Sequence, residues 1–375
     1  MKALICIPCL MTGGTEIQTL NTVYALTQGG DEVTVACYFE HTPEMVERYR
    51  KAGAKVVLFS PNGSRIGGYR GILFLYKHLR QIVKEVKPQV THVQYMAPGA
   101  TVIILLWLMG VRNIIATAHT VADIYKDLRL IHFLQRHCLR AFTCITERAE
   151  RSFFGTSHIY TPGTILKKRN HFTIYNALPY GVAVENNPTT TRQPEQFALG
   201  VVSRLESIKG MDLVIPAFAQ VLRQHPSTRL IVVGDGSLRA TMEQQAKELR
   251  CSDSIIWAGR QPQEKLPYWY SQMDIVLMPS RSEGFGLTAI EAMSQGCVVV
   301  AANVGGLPEV VRQGECGLLH RCEDIEDMAR NICKLIEDNA LYNRLRLQSL
   351  REVEKYSFER YAIMINSLYK QLFEV

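Results

Sequence analysis

Short β-branched runs alternate with amphipathic stretches nearly from end to end of the chain. Ala3–Ile7, Glu32–Tyr38, Lys55–Phe59, Val90–Gln94, Asn113–Ala118 and Ala141–Ile145 have the apolar composition of buried strands. Glu16–Thr27, Gly71–Glu85 and Asp127–Leu139 lie between them with helical spacing. The alternation restarts with strands at Phe197–Ser203, Arg229–Val233, Ile255–Trp257, Ile275–Met278 and Val298–Ala301. Helical segments at Met211–Arg223, Leu238–Leu249 and Leu287–Gln295 separate these. Strand–helix alternation predicts parallel sheets covered on both faces, and two series predict two such sheets. Ala177–Glu195, rich in Pro, Asn, Thr and Gly, is the expected boundary. Phe358–Phe373 reads as a final helix through Tyr361, Ile365, Leu368 and Leu372, and its pattern does not say which sheet it packs on.

Length fits that picture, since 375 residues suit about two domains. With 47% hydrophobic and 21% charged residues, wholesale disorder is excluded. Gly and Pro recur without a period, which excludes collagenous and repeat architectures. The net charge of +7 is uneven: 22 basic against 13 acidic residues through Glu195 give +9, and the remaining 20 against 22 give −2. The basic first half is expected to face an anionic surface or partner. Met1-Lys2 leads straight into an apolar run with no small-residue cleavage site, so no targeting segment is expected. Val102–Met109 is the most hydrophobic stretch and falls far below the ~18 residues of a spanning helix. Ten cysteines in such a chain are expected to be reduced; Cys6-Ile-Pro-Cys9 lacks the second CxxC of a zinc site and a thioredoxin-like context.

The stretch from Ile275 to Gly296 is the most informative. A buried-type strand stops at Pro279, Ser280-Arg281-Ser282-Glu283-Gly284-Phe285-Gly286 follows, and a helix then runs to a Gly296 cap. A Gly-containing loop between a parallel strand and a helix N-terminus offers free N–H groups and a positive dipole end to a phosphate. It also lies at a strand's carboxyl end, where open α/β sheets bind ligands. Glu283 beside an anion site is costly unless it faces sugar hydroxyls. Glu291, among Ala289, Ile290, Ala292 and Met293, needs partners, and ribose hydroxyls would serve. The alternative makes Glu283 a helix-start charge and Glu291 an exposed helix residue.

Arg204 and Lys209 flank the loop after Ala198–Ser203, where two cations could neutralise a diphosphate or form a solvated pair. Thr12-Gly13-Gly14-Thr15 follows the first strand and permits close backbone approach or a tight turn. His119 ends the strand Asn113–Ala118, again at a ligand-binding edge, or is a structural histidine. Gly284–Ala289 matches the GxGxxG/A dinucleotide fingerprint, but in the second series of strands. GxxxxGK[ST], HExxH, GxSxG and Asp-x-Asp are absent from the sequence. Glu323–Asp327 opens a helix, where capping accounts for its acidity.

Together these pieces resemble the family 4 retaining glycosyltransferases of GT-B architecture. The resembling motifs are Gly13-Gly14 with Glu16, Arg204-Leu205-x-x-x-Lys209-Gly210, and Val233-Gly234-Asp235-Gly236. Glu283-Gly284-Phe285-Gly286 with its EX7E partner Glu291, and Gly305-Gly306-Leu307-Pro308-Glu309, complete the set. The second half matches specifically; the first matches at the Gly-Gly loop and His119.

The resemblance implies two Rossmann-like, doubly wound domains facing across a cleft: an acceptor-side domain over 1–180, a linker over 181–195 and a donor-binding domain over 196–355. The helix over 356–375 is implied to return to the first domain. By analogy Arg204 and Lys209 grip the diphosphate of a nucleotide sugar, helped by backbone near Gly13, Gly14, Gly284, Phe285, Gly286 and Leu287. Glu291 would bind the ribose, Glu283 and His119 would meet the transferred sugar, and Arg260 would border the base. No metal or other cofactor is expected.

The resemblance implies a glycan or lipid-linked acceptor, as in surface polysaccharide assembly, and no nucleic acid. A cytoplasmic place is expected, with attachment to the anionic inner face of the plasma membrane. For that surface the sequence offers Asp127–Leu139, where Lys126, Arg129, Arg136 and Arg140 accompany Leu128, Ile131, Leu134 and Leu139. The alternative there is a packed helix with a solvated basic face. Alternatives for the whole chain are a nucleotide-sugar epimerase or disaccharide synthase of the same fold, a nicotinamide oxidoreductase using Gly284–Ala289, and a scaffold that only binds. The oxidoreductase lacks an acidic ribose-binding residue at the end of a following strand. A scaffold is expected to have lost members of the Arg204, Lys209, Glu283 and Glu291 set, which is complete.

Overall fold

The computed structural model describes residues 1–94, 99–164, 166, 169–184 and 196–373. The expected linker over 181–195 lies largely outside them, from 185 onward. The chain forms two compact units, Met1–Tyr180 with Ser357–Val375, and Gly181–Tyr356.

The first unit opens with β1 (Lys2–Ile7), α1 (Gly14–Gln28), β2 (Glu32–Cys37), α2 (Pro43–Lys51), β3 (Lys55–Leu58) and α3 (Gly68–Val86). β4 (Val90–Gln94), α4 (Gly99–Leu108), β5 (Ile114–Ala118), α5 (Arg129–His137), β6 (Ala141–Cys144), α6 (Glu147–Phe154) and β7 (His171–Thr173) follow. Among the described residues the sheet is parallel, in the order β3-β2-β1-β4-β5-β6-β7. The order reverses between β1 and β4, the crevice where open sheets take ligands. Leu75, Leu79, Val102, Leu106, Ile131 and Leu134 of α3, α4 and α5 share one core with β4, β5 and β6.

The second unit contains β8 (Ala198–Val202), α7 (Val214–Gln224), β9 (Arg229–Val233), α8 (Arg239–Glu248), β10 (Ile255–Gly259), α9 (Leu266–Ser271) and β11 (Ile275–Met278). It continues with α10 (Leu287–Ser294), β12 (Val298–Ala302), α11 (Leu307–Val311), β13 (Gly317–His320), α12 (Ile325–Glu337) and α13 (Asn339–Glu352). Its parallel sheet has the order β10-β9-β8-β11-β12-β13, so β8 and β11 meet at its reversal. Asp324 caps α12 by accepting from the Asp327 N–H at 2.8 Å, which explains that acidic run.

The last helix, α14 (Phe358–Phe373), belongs to the first unit and packs on α1. This placement resolves an oddity of α1, whose Gln18, Thr19, Asn21 and Thr22 are all buried. Thr22 Oγ1 and Tyr361 Oη are 2.7 Å apart, and Asn366 donates to the Ala25 carbonyl at 3.2 Å. Gln18 accepts from Ala177 N–H and Asn21 donates to the Leu178 carbonyl, both at 3.0 Å. The Asn21 amide and the Gln18 carbonyl oxygen are thereby matched, as burial requires. All ten cysteines are free thiols. Among the described residues no helix is long and apolar enough to cross a membrane.

Candidate functional site

In the second unit the candidate residues gather at the carboxyl ends of β8 and β11. After β8 the chain makes a turn ending at Gly210, whose φ is +67°. A Cβ there would stand 2.0 Å from the Pro279 carbonyl oxygen, so a glycine is required for the two loops to touch. Arg281, from the loop after β11, fixes the turn. Its backbone N–H donates to the Ile208 carbonyl at 3.0 Å, and its guanidinium donates to both carboxylate oxygens of Asp212 at 2.7 and 2.8 Å. Its Nε donates to Glu323 at 2.7 Å. The bidentate contact holds the Asp212 carboxyl below its ordinary range, chiefly by that hydrogen bond.

The tethered turn presents Lys209, whose Nζ donates to Glu283 Oε2 at 2.7 Å. Both side chains are mostly buried, at 23% and 16% exposure. Glu283 is braced from behind, since its carbonyl accepts from the Gly306 N–H at 3.1 Å. Gly305, with φ of +53°, allows that approach, because a Cβ would lie 1.7 Å from the same oxygen. Arg204 and Arg260 are exposed at the ends of β8 and β10.

Gly284, Phe285 and Gly286 lead from Glu283 into α10. Gly286 is the N-cap, with φ of +101° and no side chain capping the first turn. Phe285 is buried edge-on against Tyr356. Leu287 is half-buried at the first helical position. Two turns on, Glu291 is buried rather than exposed. Its carboxylate accepts from Tyr270 Oη at 2.9 Å and Gln263 Nε2 at 3.0 Å. Burial raises its pKa, and the two donors pull it part of the way back. Each carboxylate oxygen has a second lone pair. The buried setting of Glu291 was legible from its apolar neighbours; Tyr270, Gln263, Asp212 and Arg281 were not singled out.

In the first unit Gly13 and Gly14 follow β1, with Gly13 as the extended N-cap of α1. Glu16 is buried under this loop and accepts from Cys9 Sγ at 3.1 Å, so Cys9 serves the loop. Its neighbour Cys6 is buried in the core. His119, buried after β5, has its Nε2 2.7 Å from Gln94 Oε1 at the end of β4. Beside it His92 joins Tyr369 of α14, at 2.8 Å, to Thr117, at 2.6 Å, and Thr117 lies 2.6 Å from Thr143. His92, Gln94, Thr117 and His119 edge a cavity of about 20 Å³, room for one water. Desolvation lowers the pKa of both histidines to about 3.

Two family models match the chain. The model of glycosyl transferases group 1 matches residues 185–350, and that of glycosyltransferase family 4 matches residues 12–154. A D-inositol 3-phosphate glycosyltransferase of Corynebacterium aurimucosum is 28% identical over 310 residues, 76% of this chain and 72% of that protein. The lipopolysaccharide core biosynthesis mannosyltransferase LpcC of Rhizobium leguminosarum is 33% identical over 200 residues, 51% of this chain and 55% of that one. Among solved structures, Anabaena Alr3699/HepE in complex with UDP superposes with a TM-score of 0.76 at 18% identity over the full length of both chains. That likeness establishes the GT-B fold.

Proposed function

Since this chain belongs to the group 1, family 4 glycosyltransferases, we propose that it moves a sugar from a nucleotide-activated donor to a glycan or lipid-linked acceptor, with retention and without a metal. The observation that carries the reading is the Lys209–Glu283 pair, set beside the open N-terminus of α10 with Glu291 buried two turns along the same helix. A Lys ammonium has three donors, so Lys209 can keep Glu283 and still donate to diphosphate oxygens. Together with Arg204 and the uncapped N–H groups after Gly286 it would stabilise the leaving diphosphate. Glu291, held as an acceptor by Tyr270 and Gln263, would take ribose hydroxyls on its remaining lone pairs. Glu283 and His119 would meet the transferred sugar while positive charge grows at its anomeric carbon.

The UDP bound to the Anabaena protein supports a nucleotide donor. The lipopolysaccharide core mannosyltransferase among the relatives supports an acceptor from envelope assembly. With such an acceptor the chain would work in the cytoplasm, against the anionic inner face of the plasma membrane. A thermal-shift screen across nucleotide sugars and their free nucleoside diphosphates tests the reading. One nucleotide series should raise the melting temperature with both forms. If none does at saturating concentration, the chain does not use a nucleotide donor.

A further inference from the structure

The membrane reading so far points to Asp127–Leu139, and the structure removes most of its apolar side. Ile131, Leu134 and Leu139 are 4%, 0% and 5% exposed and belong to the core. An apolar surface with the required character lies instead on α3. Tyr69, Ile72, Leu73 and Tyr76 are 73%, 45%, 50% and 41% exposed. At 3.6 residues per turn they fall in one stripe about 100° wide. The adjacent side of the helix carries Gly71, Leu75, Leu79 and Ile82 into the core, so the stripe is surplus to folding. Four consecutive members of a helical stripe left in water form a patch, unlike apolar residues scattered singly.

Charge says what covers it. Arg70, Lys77 and Lys84 are exposed along one flank of this stripe, Arg80 is exposed on the stripe itself a turn beyond Tyr76, and Glu85 is the acid on the helix. A helix with apolar residues on its outward crest and basic residues beside them suits the interface of an anionic bilayer, where the aromatic and aliphatic groups enter and the cations meet headgroups. The patch extends sideways. α4 packs between α3 and α5, and α5 adds Leu130 and Phe133, exposed at 49% and 54%. Helices that follow parallel strands run back along them, so the first turns of α3 and α5 lie toward the carboxyl edge of the sheet. His119 sits at that edge. We propose that the outward face of α3, extended by Leu130 and Phe133, docks this unit on an anionic membrane. This rests on the reading that the chain works at such a membrane and is independent of the donor chemistry.

The test is sedimentation of the full chain with vesicles of phosphatidylglycerol and phosphatidylcholine in about equal parts, compared with pure phosphatidylcholine. The wild-type chain should sediment with the anionic vesicles and be released by salt. Ile72→Ser with Leu73→Ser, both at exposed positions, should weaken binding by at least about tenfold. Lys77→Glu with Arg80→Glu should do the same at low salt only. Unchanged melting temperatures would show that the variants fold. If the wild-type chain binds neither vesicle at low salt, the membrane reading itself falls. If it binds but the Ile72/Leu73 variant binds equally well, the membrane reading stands and the α3 surface is wrong. If the wild-type chain is a dimer without lipid and that variant a monomer, the stripe is a self-interface and the proposal is overturned.

Discussion

Lys209 and Glu283 hold each other at 2.7 Å across the loops that leave β8 and β11. The cation expected to grip a diphosphate is therefore already half-compensated by the carboxylate expected to meet the sugar. This changes what their removal should do. Glu283→Gln leaves Lys209 with its full charge for the phosphates, so it should bind free nucleoside diphosphate as tightly as wild type or several-fold tighter, while kcat falls. Lys209→Ala removes the cation and leaves Glu283 facing the diphosphate, and should weaken that binding by about ten- to a hundredfold. Isothermal titration with the free nucleoside diphosphate decides. If Glu283→Gln weakens binding as much as Lys209→Ala does, the two residues are not divided in this way.

Glu291 gives a prediction that separates stability from binding. Burial raises its pKa, so the folded chain holds its proton more tightly than the unfolded one. The stability linked to that proton is present below the ordinary carboxylate range and is lost as pH rises through the raised value. Glu291→Gln removes the titration and keeps an acceptor for Tyr270. Relative to wild type the variant should gain in melting temperature between pH 4 and pH 8 while losing about ten- to a hundredfold in nucleoside diphosphate affinity. A melting difference that does not change with pH would mean that Glu291 is not held against its burial.

The two parallel sheets follow from alternation that is plain in the sequence, and Ile275–Met278 and Phe358–Phe373 appear as read. β7 and β13 escaped because each is a short edge strand of three or four residues. α4 escaped because it is apolar nearly all round, which is the pattern of a buried helix and carries no amphipathic period. α1 shows the converse, since its buried polar face makes sense only once α14 and the Ala177–Leu178 segment lie on it. At the site, Glu283 and Glu291 are legible because a carboxylate in a Gly-rich or apolar setting demands an explanation. Tyr270 and Gln263 hold Glu291, and Asp212 and Arg281 hold the turn that bears Lys209, through contacts between 21 and 69 positions apart, which no local pattern encodes.

Asp-x-Asp is absent from the sequence, and fixed cations stand at the proposed diphosphate site. Transfer should therefore persist in excess EDTA, whereas Lys209→Ala should lose at least about a hundredfold in rate. Activity abolished by EDTA and restored by Mg²⁺ or Mn²⁺ would refute the metal-independent reading.

The buried histidines of the first unit predict a pH dependence with a definite sign. His119 and His92 titrate near 3 in the fold because desolvation disfavours their charged forms, against an ordinary value of 6.5. Each lowered pKa contributes stability that is present above 6.5 and is lost as pH falls toward 3, because the unfolded chain then takes up a proton that the fold refuses. The linked slope is about 1.4 kcal/mol per pH unit for each histidine. His119→Gln should remove one histidine's share of it, whatever the variant's stability at neutral pH. Urea unfolding of both chains between pH 4 and pH 7 measures this directly. The same neutrality means that His119 acts as an uncharged hydrogen-bonding group throughout the physiological range. Its loss in His119→Ala should therefore lower kcat by a factor that does not vary from pH 6 to pH 8. A factor that grew as pH fell would show that the protonated imidazole is the working form, and would place His119 in a more hydrated setting than its buried contact with Gln94 provides.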